Sequence, residues 1–216
     1  VDSRRLAYLK ALGICVWVSR NSPLPEASEA EWERLAREVA ECTACPLSKT
    51  RRYPVFGVGD RRAKWMLIGE APGEQEDLTG EPFVGPAGQL LNEMLRTLRL
   101  RREEVYITNV LKSRPPGNRD PQPEEIAACK PFLKRQIALV QPKILLAIGR
   151  IAAQSLLKTE ASLSKLRGKV HRYETIPLVV IYHPAYLLRN PAAKRQAFED
   201  LKLAYRVYSE SEQVHG

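Results

Sequence analysis

Four short apolar runs punctuate the chain: KWMLIG (64–69), EVYITNV (104–110), KILLAIG (143–149) and PLVVIY (177–182). None alternates cleanly with polar residues, which is the pattern of strands buried on both faces. Segments of helical period near residues 86–98, 123–139 and 149–157 separate the first three runs and follow the third. This alternation predicts an α/β fold, a three-layer α/β/α sandwich around a central, mostly parallel four-stranded sheet. Sheets of this kind bind ligands beyond the carboxyl ends of their strands. The segments to inspect are therefore GEAPGEQED (69–77), NVLKSRPPGNRDP (109–121), GRIAAQ (149–154) and HPAYLLRNP (183–191).

The two ends of the chain read differently. VDSRRLAYLKAL places Leu6, Leu9 and Leu12 at helical spacing before Gly13, and RNSPLPEAS (20–28) has the composition of a linker. Residues 1–27 are thus expected to be a helical appendage and linker, 28–208 the main domain and 209–216 a short tail. SEAEWERLAREVAEC (28–42) starts with Ser28 and has Glu31 three residues on, a capping box, with Trp32, Leu35 and Val39 on one face. Its end delivers Cys42 and Cys45. AAKRQAFEDLKLAYRVY (192–208) reads as a basic amphipathic helix.

Composition adds two constraints. Of 216 residues, 34 are Lys or Arg and 25 Asp or Glu, a net charge of +9 spread along the chain. A polyanionic partner is consistent with that balance, although any soluble protein with a basic surface shares it. No apolar stretch approaches the ~20 residues needed to span a bilayer, and the start of the chain has no signal-peptide layout, so a cytoplasmic protein without a membrane partner is expected. No long heptad calls for a second copy, and a monomer is expected. In a reducing compartment a CxxC serves metal or redox chemistry more often than a disulfide.

The loop GEAPGEQEDLTGEPFVGPAGQLL (69–91) carries Gly69, Gly73, Gly80, Gly85 and Gly88, so its backbone can approach a flat or anionic ligand. It lacks the Gly-Lys-Ser/Thr of a phosphate loop and the glycine spacing of a dinucleotide site. Glu70, Glu76 and Asp77 crowd a strand end, which a plain connecting loop does not explain. His183 directly follows the last strand, and Pro184 stiffens the turn after it. Tyr186, Leu187, Leu188 and Arg189 then combine apolar wedges with a cation, the kit used to enter stacked bases, or else leucines tucked into a core. Asn109 ends the second strand with an amide that donates and accepts at once, as reading a base edge requires.

Together, GEAPGEQED, GEPFVGPAGQLL, VYITNVLKSRPPGNRDP and HPAYLLRNP resemble the family 4, iron–sulfur uracil-DNA glycosylases over roughly residues 40–204. The resemblance implies an enzyme that flips deoxyuridine out of DNA and hydrolyses its N-glycosidic bond, releasing uracil and leaving an abasic site. It implies that Phe83 stacks on uracil, that Asn109 binds O4 and N3–H, and that His183 donates to O2 as negative charge grows there. Ala71 stands where wider relatives often have an Asp or Asn that orients water. Backbone groups of Gly69 to Gly73 and Glu70 are then expected to hold that water, unless stabilisation of an oxocarbenium-like sugar and uracil anion suffices. Glu76 resembles the residue that excludes the methyl of thymine. Tyr186, Leu187 and Arg189 are expected on the DNA, and Lys112, Arg114 and Arg119 on its phosphates.

The same resemblance implies a 4Fe-4S cluster. Cys42, Cys45 and Cys129 match three ligand positions, and Ser113 falls at the position where the family usually has Cys. A serine oxygen is a harder, poorer ligand for iron, which leaves three readings: Ser113 ligates as an alkoxide, the cluster is 3Fe-4S, or no cluster is present. Cys15 lies in the appendage, away from these positions. The alternative function is an iron–sulfur uracil-DNA or DNA-binding protein with little turnover. Relatives that trap DNA covalently have a His in an inserted loop here, and SRPPGNRDP (113–121) has neither.

Overall fold

A computed structural model describes residues 26–213. The expected helix around Leu6 to Leu12, and Cys15, lie outside the described residues. The chain divides into two compact units, residues 1–33 and 34–216. Helix α1 (Glu26–Glu41) begins two residues before Ser28, so the expected capping box sits inside the helix. Leu35 and Val39 on its apolar face are buried as the spacing requires.

The rest is a six-stranded sheet ordered β1-β3-β2-β4-β6-β5. Its four central strands, β2 (Trp65–Gly69), β3 (Tyr106–Asn109), β4 (Ile144–Ile148) and β6 (Ile176–Ile181), are the four apolar runs, and all pair in parallel. The two further strands correct the expected count of four. β1 (Val58–Gly59) is two residues long and β5 (Val170–Tyr173) is polar and half exposed, and both pair antiparallel at the edges. An edge strand buries little, so it carries no apolar signature.

Helices α2 (Glu74–Thr79), α3 (Pro86–Thr97), α4 (Pro123–Val140), α5 (Arg150–Leu157), α6 (Leu163–Leu166), α7 (Pro184–Arg189) and α8 (Lys194–Gln213) complete the fold and cover both sides of the sheet. On one face Leu91 and Leu95 of α3 and Ala197, Leu201 and Ala204 of α8 pack with Leu67, Leu146 and Val179. Alternate strand residues such as Met66, Ile68 and Leu145 face the other way and are equally buried. α8 runs to Gln213, into the stretch expected to be a tail.

Two details of this frame build the site. Gly69 and Asn109 are register partners at the ends of β2 and β3. β6 ends just before His183, which serves as the N-cap of α7 with Pro184 at the first helical position.

Candidate active site

A cleft of about 410 Å3 opens at the carboxyl ends of the strands, where the fold rule places it, and Glu70, Glu76, Phe83, Asn109, His183 and Tyr186 line it. The residues expected to handle a base are thus brought together from three separate stretches of the chain, those at and after the ends of β2, β3 and β6. Asn109 is 1% exposed, and its Oδ1 has no hydrogen-bond partner. An unpaired buried amide oxygen is costly unless a ligand satisfies it. Gly69 makes room for it: a Cβ there would lie 2.3 Å from Asn109 Oδ1 and 2.6 Å from Phe83 Cζ.

The Phe83 and His183 rings stack 5.7 Å apart at 29°. His183 Nδ1 accepts a hydrogen bond from the backbone N–H of Ala185 at 3.1 Å. An accepting Nδ1 carries no proton, which puts the proton of the neutral ring on Nε2. Burial, with the Arg189 charge acting in the same sense and Glu76 opposing, pushes His183 down to about 4. The imidazole is therefore a neutral Nε2–H donor at physiological pH. Gly149, at φ 90°, lets the turn after β4 approach closely, since a Cβ there would meet His183 Cβ at 3.2 Å.

The two carboxylates differ. Glu76 accepts from Gly73 N at 3.1 Å through one oxygen, and from Val84 N at 2.9 Å and Gly85 N at 3.1 Å through the other. It is a fixed strut of the cleft wall. Glu70 is pushed up to about 7 by burial and by Asp120, against the pull of Arg150. Ala71 offers only a methyl group, which packs against the cluster of Leu47, Leu111 and Cys129.

Residues 56–202 match the model of the uracil DNA glycosylase superfamily. A type-4 uracil-DNA glycosylase of Archaeoglobus fulgidus is 46% identical over 176 residues, covering 78% of this chain and 88% of the relative. One from Thermotoga maritima is 43% identical, covering 80% of this chain and 92% of the relative. The chain belongs to the type-4 uracil-DNA glycosylases. A type-5 enzyme of Pyrobaculum aerophilum is more distant, at 27% identity over 74% of this chain.

Two of the residues expected on DNA, Leu187 and Lys112, are buried instead. Leu187 is 1% exposed and belongs to the core, whereas Leu188 is 45% exposed. The helical turn of α7 puts Pro184 and Leu187 on one inward face and Leu188 on the other side. Lys112 is fully buried, its Nζ donating to Thr108 Oγ1, Asn109 O and Gln136 Oε1, so it cannot reach a phosphate. Arg119 forms a two-pronged pair with Glu125, at 2.6 and 2.9 Å, that ties its loop to the start of α4. Arg114 donates to Asn118 Oδ1 at 2.8 Å. Tyr186 and Arg189 remain exposed at the cleft mouth.

A buttress behind Tyr186 escaped the sequence reading. Its ring stacks on Tyr182 at 4.9 Å and 21°, and the Arg167 guanidinium lies 3.7 Å from the Tyr182 ring centre while pairing with Asp200.

Cys42, Cys45 and Cys129 are free thiols, the first two just past α1 and the third in α4. Cys45 packs against Cys129 and its neighbours. Burial pushes the Cys129 thiol up, the Lys112 backbone N–H and ammonium pull it down, and Cys45 and Cys42 push it up further. Among the described residues no group of three or more His, Cys, Asp or Glu could hold a single metal ion. A cluster asks something else, one thiolate on each of several irons. Ser113 is buried, and its Oγ accepts from Arg51 Nη1 at 2.9 Å, while Arg51 Nη2 donates to Ala40 O and Cys42 O. Cys42 and Cys45 lie close enough for their charges to act on Cys129, and three neighbouring thiols are donors of the kind an iron–sulfur group takes.

Proposed function

We propose that this chain excises uracil from DNA through the cleft between Phe83, Asn109 and His183. The observation that carries this reading is the buried, unpartnered Asn109 Oδ1 beside a neutral His183 donor and an aromatic ring. Asn109 Oδ1 accepts N3–H of a flipped uracil and its Nδ2 donates to O4, while Phe83 stacks on the base. Thymine differs only by a methyl at C5, and a wall stiffened by Glu76 and its three N–H donors has little freedom to admit it.

As the bond from N1 to C1′ breaks, its electron pair moves onto the uracil ring and O2. The Nε2–H of His183 stabilises that charge without giving up its proton, and a donor so placed is worth roughly 3–4 kcal/mol. Water adds to C1′ and gives a proton to the ionised Glu70, leaving the abasic sugar and a uracil anion that solvent then protonates. Since Ala71 has no polar group, the ionised Glu70 and backbone groups from Gly69 to Gly73 orient the water. Leu188 fills the gap in the stack, Tyr186 supports the neighbouring base and Arg189 meets phosphate.

Cys42, Cys45 and Cys129 would hold an iron–sulfur cluster, which supplies loop organisation rather than electron transfer, because hydrolysis needs no electron. The weaker affinity of a serine oxygen for iron supports a three-thiolate, 3Fe-4S form over ligation by Ser113.

Release of uracil from an oligonucleotide with one deoxyuridine, using protein purified without oxygen, tests the reading. Wild type should give a strand that breaks in alkali. His183→Ala should slow release by about a hundredfold to a thousandfold with little loss of DNA affinity. Unchanged release by His183→Ala would overturn the assignment.

A further inference from the structure

We propose that Arg102 is a positioning residue for base recognition, setting the height and tilt of the Phe83 ring by gripping its backbone. Phe83 adopts φ 55°, a left-handed conformation that an aromatic residue holds only where its surroundings enforce it. The enforcement comes from three sides. Arg102, in the 3-10 turn Arg102–Glu104 before β3, donates Nη1 to Phe83 O at 3.2 Å and Nη2 to Pro82 O. Glu76 holds the next two amides, Val84 N and Gly85 N, through a single oxygen. Gly88 lets α3 pass beneath, since a Cβ there would lie 1.7 Å from Phe83 O.

A cation therefore draws on the carbonyls of residues 82 and 83 while an anion draws on the N–H groups of residues 84 and 85. The segment is stretched between opposite charges at the point where the ring projects. The planar fork of arginine suits two adjacent carbonyls, and the single ammonium of lysine does not. Without Arg102 both carbonyls lose their charged donor, and Phe83 is free to relax towards negative φ. The ring then leaves the plane that faces His183 and Asn109. None of this was legible in the sequence, where Arg102 is one cation in the run RLRREE (99–104) with no motif around it.

The inference rests on Phe83 being the ring that stacks on uracil, so the test includes Phe83→Leu. Arg102→Met, Arg102→Lys and Phe83→Leu are compared with wild type in four measurements. These are single-turnover uracil release, inhibition by free uracil, affinity for a duplex with a tetrahydrofuran abasic analogue, and Tm. Arg102→Met should weaken inhibition by free uracil and slow release, each by about tenfold to a hundredfold, the scale of an ångström-sized misplacement. Affinity for the abasic analogue, which has no base to stack, should stay at the wild-type level. Arg102→Lys should recover part of the loss, and if Arg102→Met does not fold, the lysine variant must show the same pattern in weaker form.

Equal losses for uracil release and for abasic-analogue affinity would make Arg102 a phosphate contact and overturn the proposal. A lower Tm with unchanged inhibition by free uracil would make it a structural residue only, with the same consequence. If Phe83→Leu itself leaves release and inhibition unchanged, the stacking assignment fails first, and that outcome is distinct from either of the others.

Discussion

Glu70 and His183 face one cleft but are tuned in opposite directions, so the pH dependence of uracil release separates their roles. Burial and Asp120 bring Glu70 from its ordinary 4.5 up to about 7, and burial and Arg189 bring His183 from 6.5 down to about 4. The proposed reaction uses Glu70 ionised and His183 neutral. With an apparent pKa of about 7, roughly nine-tenths of Glu70 is ionised at pH 8 and roughly one-tenth at pH 6. The single-turnover rate should therefore fall about tenfold over that interval, while His183 keeps its neutral form throughout. Glu70→Gln should give a rate that is low and nearly flat between about pH 5.5 and pH 8.

Two results would refute this reasoning. A limb near pH 4 that Glu70→Gln leaves in place would remove Glu70 from the reaction. A limb near pH 6.5 abolished by His183→Gln would show that the imidazole is not held neutral by burial. Stability supplies an independent sign. For a carboxylate whose pKa is raised by folding, the stabilising contribution is full below pH 4.5 and is lost as pH rises through about 7. Glu70→Gln should thus raise Tm at pH 8. His183 runs the other way, its contribution being full above pH 6.5 and lost as pH falls towards 4.

Leu187→Ala should cost ~2–5 kcal/mol of stability, read by denaturant unfolding, because its side chain is buried in the core. Leu188→Ala should leave stability within ~0.5 kcal/mol, yet slow release from duplex DNA more than from single strands; equal effects on both would deny it a place in the stack. Gly69→Ala puts a methyl 2.3 Å from Asn109 Oδ1 and should cut release about a hundredfold or more, so near-normal turnover would show that the base does not enter this slot. Ser113→Cys removes the acceptor of the Arg51 hydrogen bond and adds a thiolate. Iron per chain should rise after anaerobic reconstitution, and DNA affinity by anisotropy should rise with it; more iron with unchanged affinity would separate this corner from DNA binding.

The central strands, the helices between them and the loops that carry the site were legible because burial on both faces is a property of contiguous residues. A strand such as ILLAI (144–148) announces itself in five letters. Glu70, Asn109 and His183 stood out as candidates because each ends or closely follows an apolar strand, whereas Phe83 rested on the resemblance of its motif alone. Folding alone decided what depends on partners distant in sequence. Lys112 looked like a solvent-facing cation until Gln136, 24 residues on, supplied an acceptor inside the core. Leu187 and Leu188 are chemically identical, and only the rotation of α7 against the core separates anchor from wedge. The proton of His183 is placed by one backbone N–H, the turn of Phe83 by a guanidinium 19 residues away, and the Ser113 hydroxyl by Arg51, 62 residues earlier. The physical reason is common to all of these: apolar burial adds up along a local segment, whereas a hydrogen bond or a charge takes its value from the one group that the fold sets opposite it.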